Sequence, residues 1–574
     1  MTDKNNLTKR YNILGVLVVI MAITIFWRMF EKQIVEHGAY TALAEGQQRF
    51  ETEEIAQRGV VYVHDAIEGQ DSLYPLAFDI KTYALWVVPR QVIDKETTSS
   101  ALTDISGIDK TTIFDAINND KLYIPPLKKG LTFDQADAIK QKKIAGVFVM
   151  PENSRYYPEK SLASQLLGFV NVEGKGNYGF EGHYDRELQG TSGETVGEKD
   201  TLGRVINLLD EKDAKDGTSY VLTLDRSVQY YAEKKLKEAI PKYQAESGSV
   251  IIMDVKTGGI IAMASTPDFD PNTYKLTAKD NSSYFVNPAI SNLYEPGSIM
   301  KPITMAGAID CGAVTPETTG TFSNFVVVDG YEIHTAEDKP FGTENMAQIL
   351  QNSDNVGMVW VSEQEGKDNI YKYLNDFNLL DKTNIDLDGE ATGYVPNFKH
   401  WKDINRATIS FGQGISVTPL SMVAAYAAIA NGGTYIYPHV VDRIIQPDGK
   451  EINVEKKTGK QVLKPETAKS VLDMLVSVIK SGHGKKAAVA GYDLAGKTGT
   501  AQIPKADGGY EENIYVHSFM GVGPSNDPRF AMLVKLDKPK SALYAESTAA
   551  PVWGEIASFL INYYYKIPPT GQAQ

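Results

Sequence analysis

Three short motifs in the second half of the chain carry residue types that could together transfer an acyl group. They are Ser298-Ile299-Met300-Lys301, Ser353-Asp354-Asn355 and Lys497-Thr498-Gly499-Thr500. A serine hydroxyl is a weak nucleophile at neutral pH, so it needs a base within hydrogen-bonding reach. On a helix, Lys301 would lie on the same face as Ser298, because residues three apart are neighbours there. The first motif therefore indicates a serine nucleophile with a lysine base.

The residues that flank Ser298 predict that it lies at the N-terminus of a helix. Pro296-Gly297 precede it and Pro302 follows, and proline is tolerated in the first turn of a helix but not deeper. There the helix dipole and free backbone N–H groups could hold a developing oxyanion. Lys301 must be neutral to act as a base. A shift of its pKa from about 10.4 to near 7 corresponds to destabilising its charged form by roughly 4–5 kcal/mol. We expect burial and the charge of Lys497 to cause that shift.

A second copy of the Ser-x-x-Lys pattern, Ser477-Val478-Ile479-Lys480, shows that the pattern alone is weak evidence. This copy lies inside an amphipathic stretch that starts at Pro465, and the serine has no helix-start signal beside it. We therefore predict that Ser477 lies on an ordinary helix surface.

The other two motifs could bind a substrate and move a proton. Ser353 would supply a hydroxyl that relays a proton, and Asn355 an amide that binds a substrate amide, although Ser, Asp and Asn also favour loops and helix caps. Lys497-Thr498-Gly499-Thr500 could bind a substrate carboxylate through its cation and its hydroxyls. Its glycine permits a close approach of the backbone.

The last motif also fits a different class of site, a phosphate-binding loop. Residues 491–498 match the pattern G-x-x-x-x-G-K-[ST] letter for letter. Such a loop must open a helix whose N-terminus faces the phosphates. Here Gly499 to Pro504 is strand-like and ends in proline. A nucleotide-binding protein is therefore a remote alternative.

Composition excludes several classes of function. The 574 residues carry a net charge of −14, which leaves no basic excess for a general nucleic-acid binder. Cys311 is the only cysteine, so no intramolecular disulfide can form. The 8 histidines show no metal-ligand spacing. We expect no cofactor and no metal.

An apolar stretch near the N-terminus predicts a single membrane anchor over residues 11–30. Between Tyr11 and Trp27 the chain has no charged residue. The length of this stretch is at the short end of what spans a bilayer. Lys4, Lys9 and Arg10 precede it, so the positive-inside rule places residues 1–10 in the cytoplasm and the rest outside the membrane. A cleaved signal peptide is disfavoured because bulky residues, including Trp27, follow the apolar run.

The rest of the chain is predicted to form two domains. Residues 31–215 contain no cluster of catalytic residue types and are expected to be a non-catalytic domain. Residues 210–217 are charged, lack large apolar side chains and end in glycine, so they are the best boundary candidate. Residues 216–570 would then form the catalytic domain.

The catalytic part is predicted to be α+β, with a central antiparallel sheet flanked by helices. Residues 249–254 and 260–264 are apolar runs that indicate a hairpin. Residues 498–503, 515–521 and 530–536 are further strand-like runs. Between them, Thr418-Pro419 and then Gly432-Gly433 bracket a predicted helix.

With these motifs in order, the chain resembles the class B penicillin-binding proteins, the membrane-anchored D,D-transpeptidases of peptidoglycan synthesis. Further blocks similar to that family are Arg58-Gly59-Val60-Val61-Tyr62, residues 162–169, Gly179-Phe180-Glu181, Leu222-Thr223-Leu224-Asp225 with Gln229, Glu295-Pro296-Gly297, and Phe411-Gly412-Gln413-Gly414. The resemblance implies an elongated mixed α/β pedestal before a penicillin-binding transpeptidase domain.

The resemblance also implies residue roles. Ser298 would be the acylated nucleophile, Lys301 its base and Ser353 a proton relay. The implied substrate-binding residues are Asn355, Lys497, Thr498, Gly499 and Thr500, and the backbone N–H groups of Ser298 and Thr500 would form the oxyanion hole. The substrate would be a stem peptide ending in D-Ala-D-Ala, an amine of a neighbouring strand would complete the cross-link, and β-lactams would inhibit.

Partners and cellular role also follow from the resemblance. The implied partners are the membrane, a polytopic glycosyltransferase and other division proteins. Gly508-Gly509-Tyr510 and Ala549-Ala550-Pro551-Val552 look more like the division type than the elongation type. A β-lactamase or β-lactam sensor of the same fold is the alternative. A lactamase would need a deacylating glutamate motif, which is not evident here, and a sensor usually has more membrane spans.

Overall fold

The chain divides into two compact units. The structure is a computed structural model that describes residues 2–38, 40–41, 49–66, 72–119, 121, 124–199, 205–336, 338–457, 459–505 and 508–569. The first unit comprises residues 1–57 and 190–216, and the second comprises residues 58–189 and 217–574. All three motifs lie in the second unit.

Helices and strands alternate through the described residues, which confirms the predicted α+β class. The helices are α1 (Thr2–Phe30), α2 (Lys95–Ser106), α3 (Lys110–Ile117), α4 (Phe133–Gln141), α5 (Ser164–Leu167), α6 (Gly179–His183), α7 (Asp185–Gln189), α8 (Arg226–Tyr243), α9 (Tyr274–Asn281), α10 (Pro288–Ser291), α11 (Lys301–Asp310), α12 (Met346–Asn352), α13 (Asn355–Glu365), α14 (Lys367–Asp376), α15 (Asp403–Ser410), α16 (Pro419–Ala430), α17 (Pro465–Ser481) and α18 (Ala549–Phe559). The strands are β1 (Arg49–Glu54), β2 (Val61–Asp65), β3 (Ser72–Val87), β4 (Lys128–Leu131), β5 (Val147–Tyr156), β6 (Phe169–Val170), β7 (Gly176–Asn177), β8 (Gly193–Lys199), β9 (Val205–Lys212), β10 (Ser219–Asp225), β11 (Ser247–Asp254), β12 (Ile260–Thr266), β13 (Thr319–Phe322), β14 (Phe325–Val328), β15 (Tyr331–His334), β16 (Gly342–Asn345), β17 (Thr434–Tyr435), β18 (Val441–Ile445), β19 (Glu451–Asn453), β20 (Lys460–Gln461), β21 (Ala495–Pro504), β22 (Tyr510–Gly523) and β23 (Phe530–Asp537).

The first unit contains the apolar N-terminal helix and a small sheet. Helix α1 continues through a π-helical turn to Val35. Leu7–Val35 contains an 18-residue stretch with a mean hydropathy of 2.4, and among the described residues it is the one helix long and apolar enough to cross a membrane. The predicted helix over residues 11–30 is thus confirmed as a helix. Strands β1, β8 and β9 form an antiparallel sheet in that order.

The second unit contains two larger sheets. One has seven strands in the order β19-β18-β10-β2-β3-β4, with β5 also paired to β3, and its β10–β2 pair is parallel. The other has five strands, all antiparallel, in the order β12-β11-β23-β22-β21. The predicted hairpin and the three later strand predictions all lie in this five-stranded sheet.

Both faces of the five-stranded sheet are covered, which explains why β11, β12 and β23 contain continuous apolar runs rather than alternating ones. Val250 and Ile252 pack with α8 and α18 on one face. Ile251 and Met253 belong to the core that contains α16 on the other face. Successive strand residues point to opposite faces, so burial on both sides favours apolar residues at successive positions.

Helix α16 has the predicted start and end. The Thr418 side chain accepts a hydrogen bond from the Ser421 N–H over 3.1 Å, and Pro419 occupies the first turn. The helix ends at Ala430, just before Gly432-Gly433. All twelve of its residues are buried, so it fills the space between the sheet and the helices around the motifs.

The predicted division into residues 31–215 and 216–570 stays a prediction. The chain passes from the first unit to the second between Asp216 and Gly217. Residues 58–189, however, also belong to the second unit, because their strand β2 pairs directly with β10 of the later segment.

Candidate active site

Ser298 lies in the first turn of a helix, as its flanking residues predict. Gly297–Met300 form a 3-10 turn that runs directly into α11, with Pro302 in its first turn. The Ser298 side chain is half-buried. Within the described part of the chain, no group forms a hydrogen bond with its hydroxyl. A nucleophile here is reachable and unpaired.

The turn that carries Ser298 is held by backbone contacts with the loop at residues 411–414. The Gly297 N–H donates to the Gly412 carbonyl over 3.0 Å, and a Cβ at Gly412 would lie 2.2 Å from the Gly297 carbonyl oxygen. Gly412 has a φ of 84°, which glycine adopts without steric cost. Glu295 adds a side-chain contact, since its Oε1 accepts from the Gly414 N–H over 2.9 Å.

Lys301 is fully buried beneath this turn. Its Nζ donates to the Ser353 carbonyl over 2.5 Å, to Asn355 Oδ1 over 2.8 Å and to Ser353 Oγ over 3.2 Å. Burial lowers the pKa of Lys301 to about 7, against the opposing charges of Asp354 and Glu344. A buried ammonium loses hydration that only a few polar atoms replace, so the neutral amine becomes accessible near neutral pH.

The second motif forms the junction between α12 and α13. Ser353 ends α12 with a φ of 54°. Asp354 then caps α13, because its carboxylate accepts from the N–H groups of Val356 over 2.9 Å and Gly357 over 3.0 Å. This capping turns Ser353 and Asn355 toward Lys301. The second motif therefore caps a helix and also directs two polar side chains toward Lys301.

Lys497, on strand β21, completes the cluster. Its Nζ is fully buried and donates to Ser353 Oγ over 2.9 Å. Burial, together with the charge of Lys301, lowers the pKa of Lys497 well below its usual value. The Ser353 hydroxyl therefore lies between two buried lysines, an arrangement through which a proton could pass.

Strand β21 lies directly against the Ser298 turn. A Cβ at Gly499 would lie 3.1 Å from the Pro296 carbonyl oxygen and 2.5 Å from Ser518 Oγ, so only glycine fits. Thr498 is buried next to Lys497, whereas Thr500 Oγ1 accepts from the Ala545 N–H over 3.1 Å. Residues 495–504 are strand throughout, so no helix follows Lys497-Thr498 as a phosphate loop requires.

The second Ser-x-x-Lys copy is a helical segment whose side chains take no part in this cluster. Ser477 lies inside α17, where its Oγ donates to the Met474 carbonyl over 2.6 Å and accepts from Gln351 Nε2 over 2.8 Å. Lys480 pairs with Asp493 over 2.7 Å. Each side chain of that copy is already engaged with other partners, and neither contacts the other motifs.

The structure also adds residues to the site that the three motifs do not contain. Glu295 and Gly412, which hold the Ser298 turn, stand in blocks that the family resemblance already names. Glu344, at the end of β16, stands in neither a motif nor a block, yet its charge acts on Lys301. Its polar neighbours Thr343 and Asn345 give no sign in the sequence that it is buried.

Two family models match the chain. The penicillin binding protein transpeptidase domain matches residues 248–558 and the penicillin-binding protein dimerisation domain matches residues 54–222. The chain belongs to the class B penicillin-binding proteins, a family of peptidoglycan D,D-transpeptidases that act through an active-site serine.

Within that family the chain is similar to proteins from several bacteria. It is 34% identical to stage V sporulation protein D of Bacillus subtilis, covering 96% of this chain and 85% of that protein. It is 33% identical to peptidoglycan D,D-transpeptidase FtsI of Escherichia coli, covering 84% of this chain and 80% of that protein. The crystal structure of a peptidoglycan synthetase from Bifidobacterium adolescentis superposes with a TM-score of 0.73 at 26% identity, covering 92% of this chain and 98% of that one.

Proposed function

We propose that Ser298 is the nucleophile of a D,D-transpeptidase that cross-links peptidoglycan stem peptides and is acylated by β-lactams. The observation that carries this proposal is the convergence of two buried lysines on the Ser353 hydroxyl beside an unpaired serine at a helix start. Lys301 is the base and Ser353 the proton relay. The substrate is bound by Asn355, Lys497, Thr498, Gly499 and Thr500.

The first half of the reaction acylates the enzyme. Neutral Lys301 takes the Ser298 proton as Oγ attacks the carbonyl between the two D-Ala residues of the donor. The backbone N–H groups of Ser298 and Thr500 hold the oxyanion. The C–N bond then breaks, and the terminal D-Ala leaves with a proton supplied through Lys301 and Ser353.

The second half transfers the acyl group to an amine of a neighbouring stem peptide. The amine nitrogen attacks the ester carbonyl, its proton passes to Lys301, and Ser298 Oγ leaves with a proton restored to it. A β-lactam enters the first half only, because its opened ring remains attached to the acyl group and blocks the amine.

Asn355 keeps a free donor for a substrate. Its Nδ2 donates one N–H to the His334 carbonyl over 2.9 Å, and an amide nitrogen carries two. The second N–H can donate to a substrate carbonyl while the contact with His334 is retained.

We place the anchor in the cell membrane with residues 1–10 in the cytoplasm and the catalytic residues outside. Lys4, Lys9 and Arg10, which precede the apolar stretch of α1, support this orientation. A polytopic glycosyltransferase and other division proteins are the partners we propose, with cross-linking at a septum as the role. The resemblance to division-type enzymes and the similarity to a stage V sporulation protein support that role.

A fluorescent penicillin tests the proposal through three proteins: the wild type, Ser298→Ala and Ser477→Ala. Ser477 is the matched control because it belongs to the same Ser-x-x-Lys pattern. We expect a stable covalent adduct on the wild type and on Ser477→Ala, and none on Ser298→Ala. Gel fluorescence after denaturation measures it, and circular dichroism verifies folding.

Two other outcomes would contradict this proposal. Rapid release of hydrolysed drug would indicate a β-lactamase of the same fold. A folded wild-type protein that forms no adduct would rule out the transpeptidase assignment.

A further inference from the structure

A buried carboxyl group that the proposed reaction does not use acts electrostatically on Lys301. The Glu344 side chain is buried at the end of β16. Its Oε1 accepts from Asn352 Nδ2 over 2.6 Å. Its Oε2 is also buried, and no donor among the described residues reaches it. A carboxylate oxygen left in this state is costly, because its lost hydration is not replaced.

A second buried carboxyl group, that of Asp354, lies within hydrogen-bonding reach of Glu344. Both Asp354 oxygens already accept backbone N–H groups, from Val356 and Gly357. Each carboxylate oxygen has a second lone-pair site, so Asp354 can still accept a hydrogen bond from a neighbour. Glu344 Oε2 is the buried oxygen that lacks one. A proton on Glu344 supplies that bond.

Two adjacent carboxyl groups in a buried site do not both ionise readily, because like charges repel strongly at low dielectric. One shared proton leaves the pair with a single negative charge. Ionisation of both would place two negative charges next to Lys301. The charge on this pair therefore bears directly on how tightly Lys301 holds its proton.

We propose that Glu344 is a positioning residue that shares a proton with Asp354. It thereby controls the negative charge near Lys301, and so how readily Lys301 accepts a proton as a base. This inference rests on the proposed function of Lys301. The pair holds one negative charge while Lys301 must be neutral, and it releases its proton only when the surroundings become more basic.

The titration ranges of the two groups support the coupling. Burial raises the pKa of Glu344 to about 7, the range to which burial lowers the pKa of Lys301. The charged groups that face this cluster come from three elements: Asp354 at the start of α13, Glu344 on β16 and Lys497 on β21. The two acids favour the Lys301 ammonium, and the charge of Lys301 in turn disfavours the Lys497 ammonium.

The pH dependence of acylation tests the inference. The second-order rate of labelling by a fluorescent penicillin is measured from pH 5 to pH 9 for the wild type and Glu344→Gln. The glutamine keeps an acceptor for Asn352 but cannot ionise. Since glutamine cannot take the second negative charge that the wild-type pair gains as the pH rises, the pKa of Lys301 stays lower in the variant, and the acidic limb should move down by about 0.5 to 1 pH unit.

Glu365→Gln is the matched control. Glu365 is a second buried acid whose carboxyl oxygens lack hydrogen-bonding partners among the described residues, and it lies against Gly307 of α11. It contributes no charge effect to Lys301. This variant should therefore keep the wild-type pH profile even if its stability changes.

A second variant keeps the inference testable if Glu344→Gln does not fold. Asn352→Ala removes the donor that favours ionised Glu344, so Glu344 stays protonated to higher pH and the acidic limb moves in the same direction by a smaller amount. Wild-type labelling with profiles that overlay in both variants would overturn the Glu344 inference alone. Absence of labelling in the wild type would instead overturn the proposed function.

Discussion

At the scale of single residues, the Ser353 hydroxyl determines how the two lysines communicate. It has one proton to donate and two lone pairs to accept with. Both Lys301 and Lys497 donate toward it. Whenever one of them is neutral, the hydroxyl can donate to that amine and accept from the other. A proton can thus move between the lysines without either side chain leaving its position.

Ser353→Gly removes this hydroxyl without straining the backbone. Position 353 has a φ of 54°, which glycine adopts more readily than serine. We expect the fold to be retained and penicillin acylation to slow by roughly 100-fold to 10,000-fold, the usual contribution of positioned acid–base groups. Stopped-flow labelling measures the rate, and thermal unfolding verifies the fold.

The control for that substitution is Gln244→Gly. Gln244 also has a φ of 54°, at the exposed end of α8, so the two variants change the backbone in the same way. Its acylation rate should match the wild type. Equal rates in the two glycine variants would mean that Ser353 relays no proton.

At the scale of elements, the site is held where three segments meet: the Ser298 turn, strand β21 and the loop at residues 411–414. The turn and the loop are in contact through their peptide groups. The strand contacts the turn through Gly499. Side-chain packing elsewhere fixes each segment, but the distances between the segments depend on three glycines.

Gly412→Ala tests this arrangement. The new Cβ would meet the Gly297 carbonyl oxygen at 2.2 Å, so the loop or the turn must move. Alanine at a φ of 84° adds about 1 kcal/mol of strain. We expect a lower melting temperature and a strong loss of acylation rate, measured by calorimetry and by penicillin labelling.

Gly389→Ala is the control that separates the effect of backbone strain from the effect of displacing the loop. Gly389 has a φ of 88°, and a Cβ there would meet no atom within 4 Å. This variant should carry the same backbone strain and keep the acylation rate. If both alanine variants label equally fast, the 411–414 loop does not position Ser298.

Local elements of this site could be predicted from the sequence because their signals are local. The prolines and the glycine around Ser298 predict its helix start, and Thr418 with Gly432-Gly433 predicts α16. The contacts of Glu344 could not be predicted, because burial and the proximity of Asp354 depend on how β16 and α12 pack. The same holds for Gly412, whose partner Gly297 is distant in sequence and joined to it only by the fold.

At the scale of the whole molecule, the proposed orientation in the membrane can be tested with a cysteine that the reaction does not use. Cys311 is exposed at the end of α11, and the chain contains 1 cysteine. A labelling experiment therefore needs no removal of other thiols. Partial burial raises the pKa of the Cys311 thiol, so labelling is carried out at mildly alkaline pH.

We expect a membrane-impermeant maleimide to label Cys311 in intact protoplasts. The comparison protein carries Thr8→Cys in a Cys311→Ser background, and it should be labelled only after the membrane is permeabilised. In-gel detection of the maleimide measures both. Labelling of position 8 from outside, with Cys311 protected, would reverse the proposed orientation.

The backbone contact between Gly297 and Gly412 has a consequence for how this protein can evolve. Because peptide groups make the contact, the side chains that line the site can be exchanged while the nucleophile stays in place. Most positions already differ between this chain and a relative that is 34% identical to it. Substitutions that change the side chains lining the site and weaken the binding of a drug are thus open to selection. Substitutions at positions 297 and 412 offer no such route to resistance.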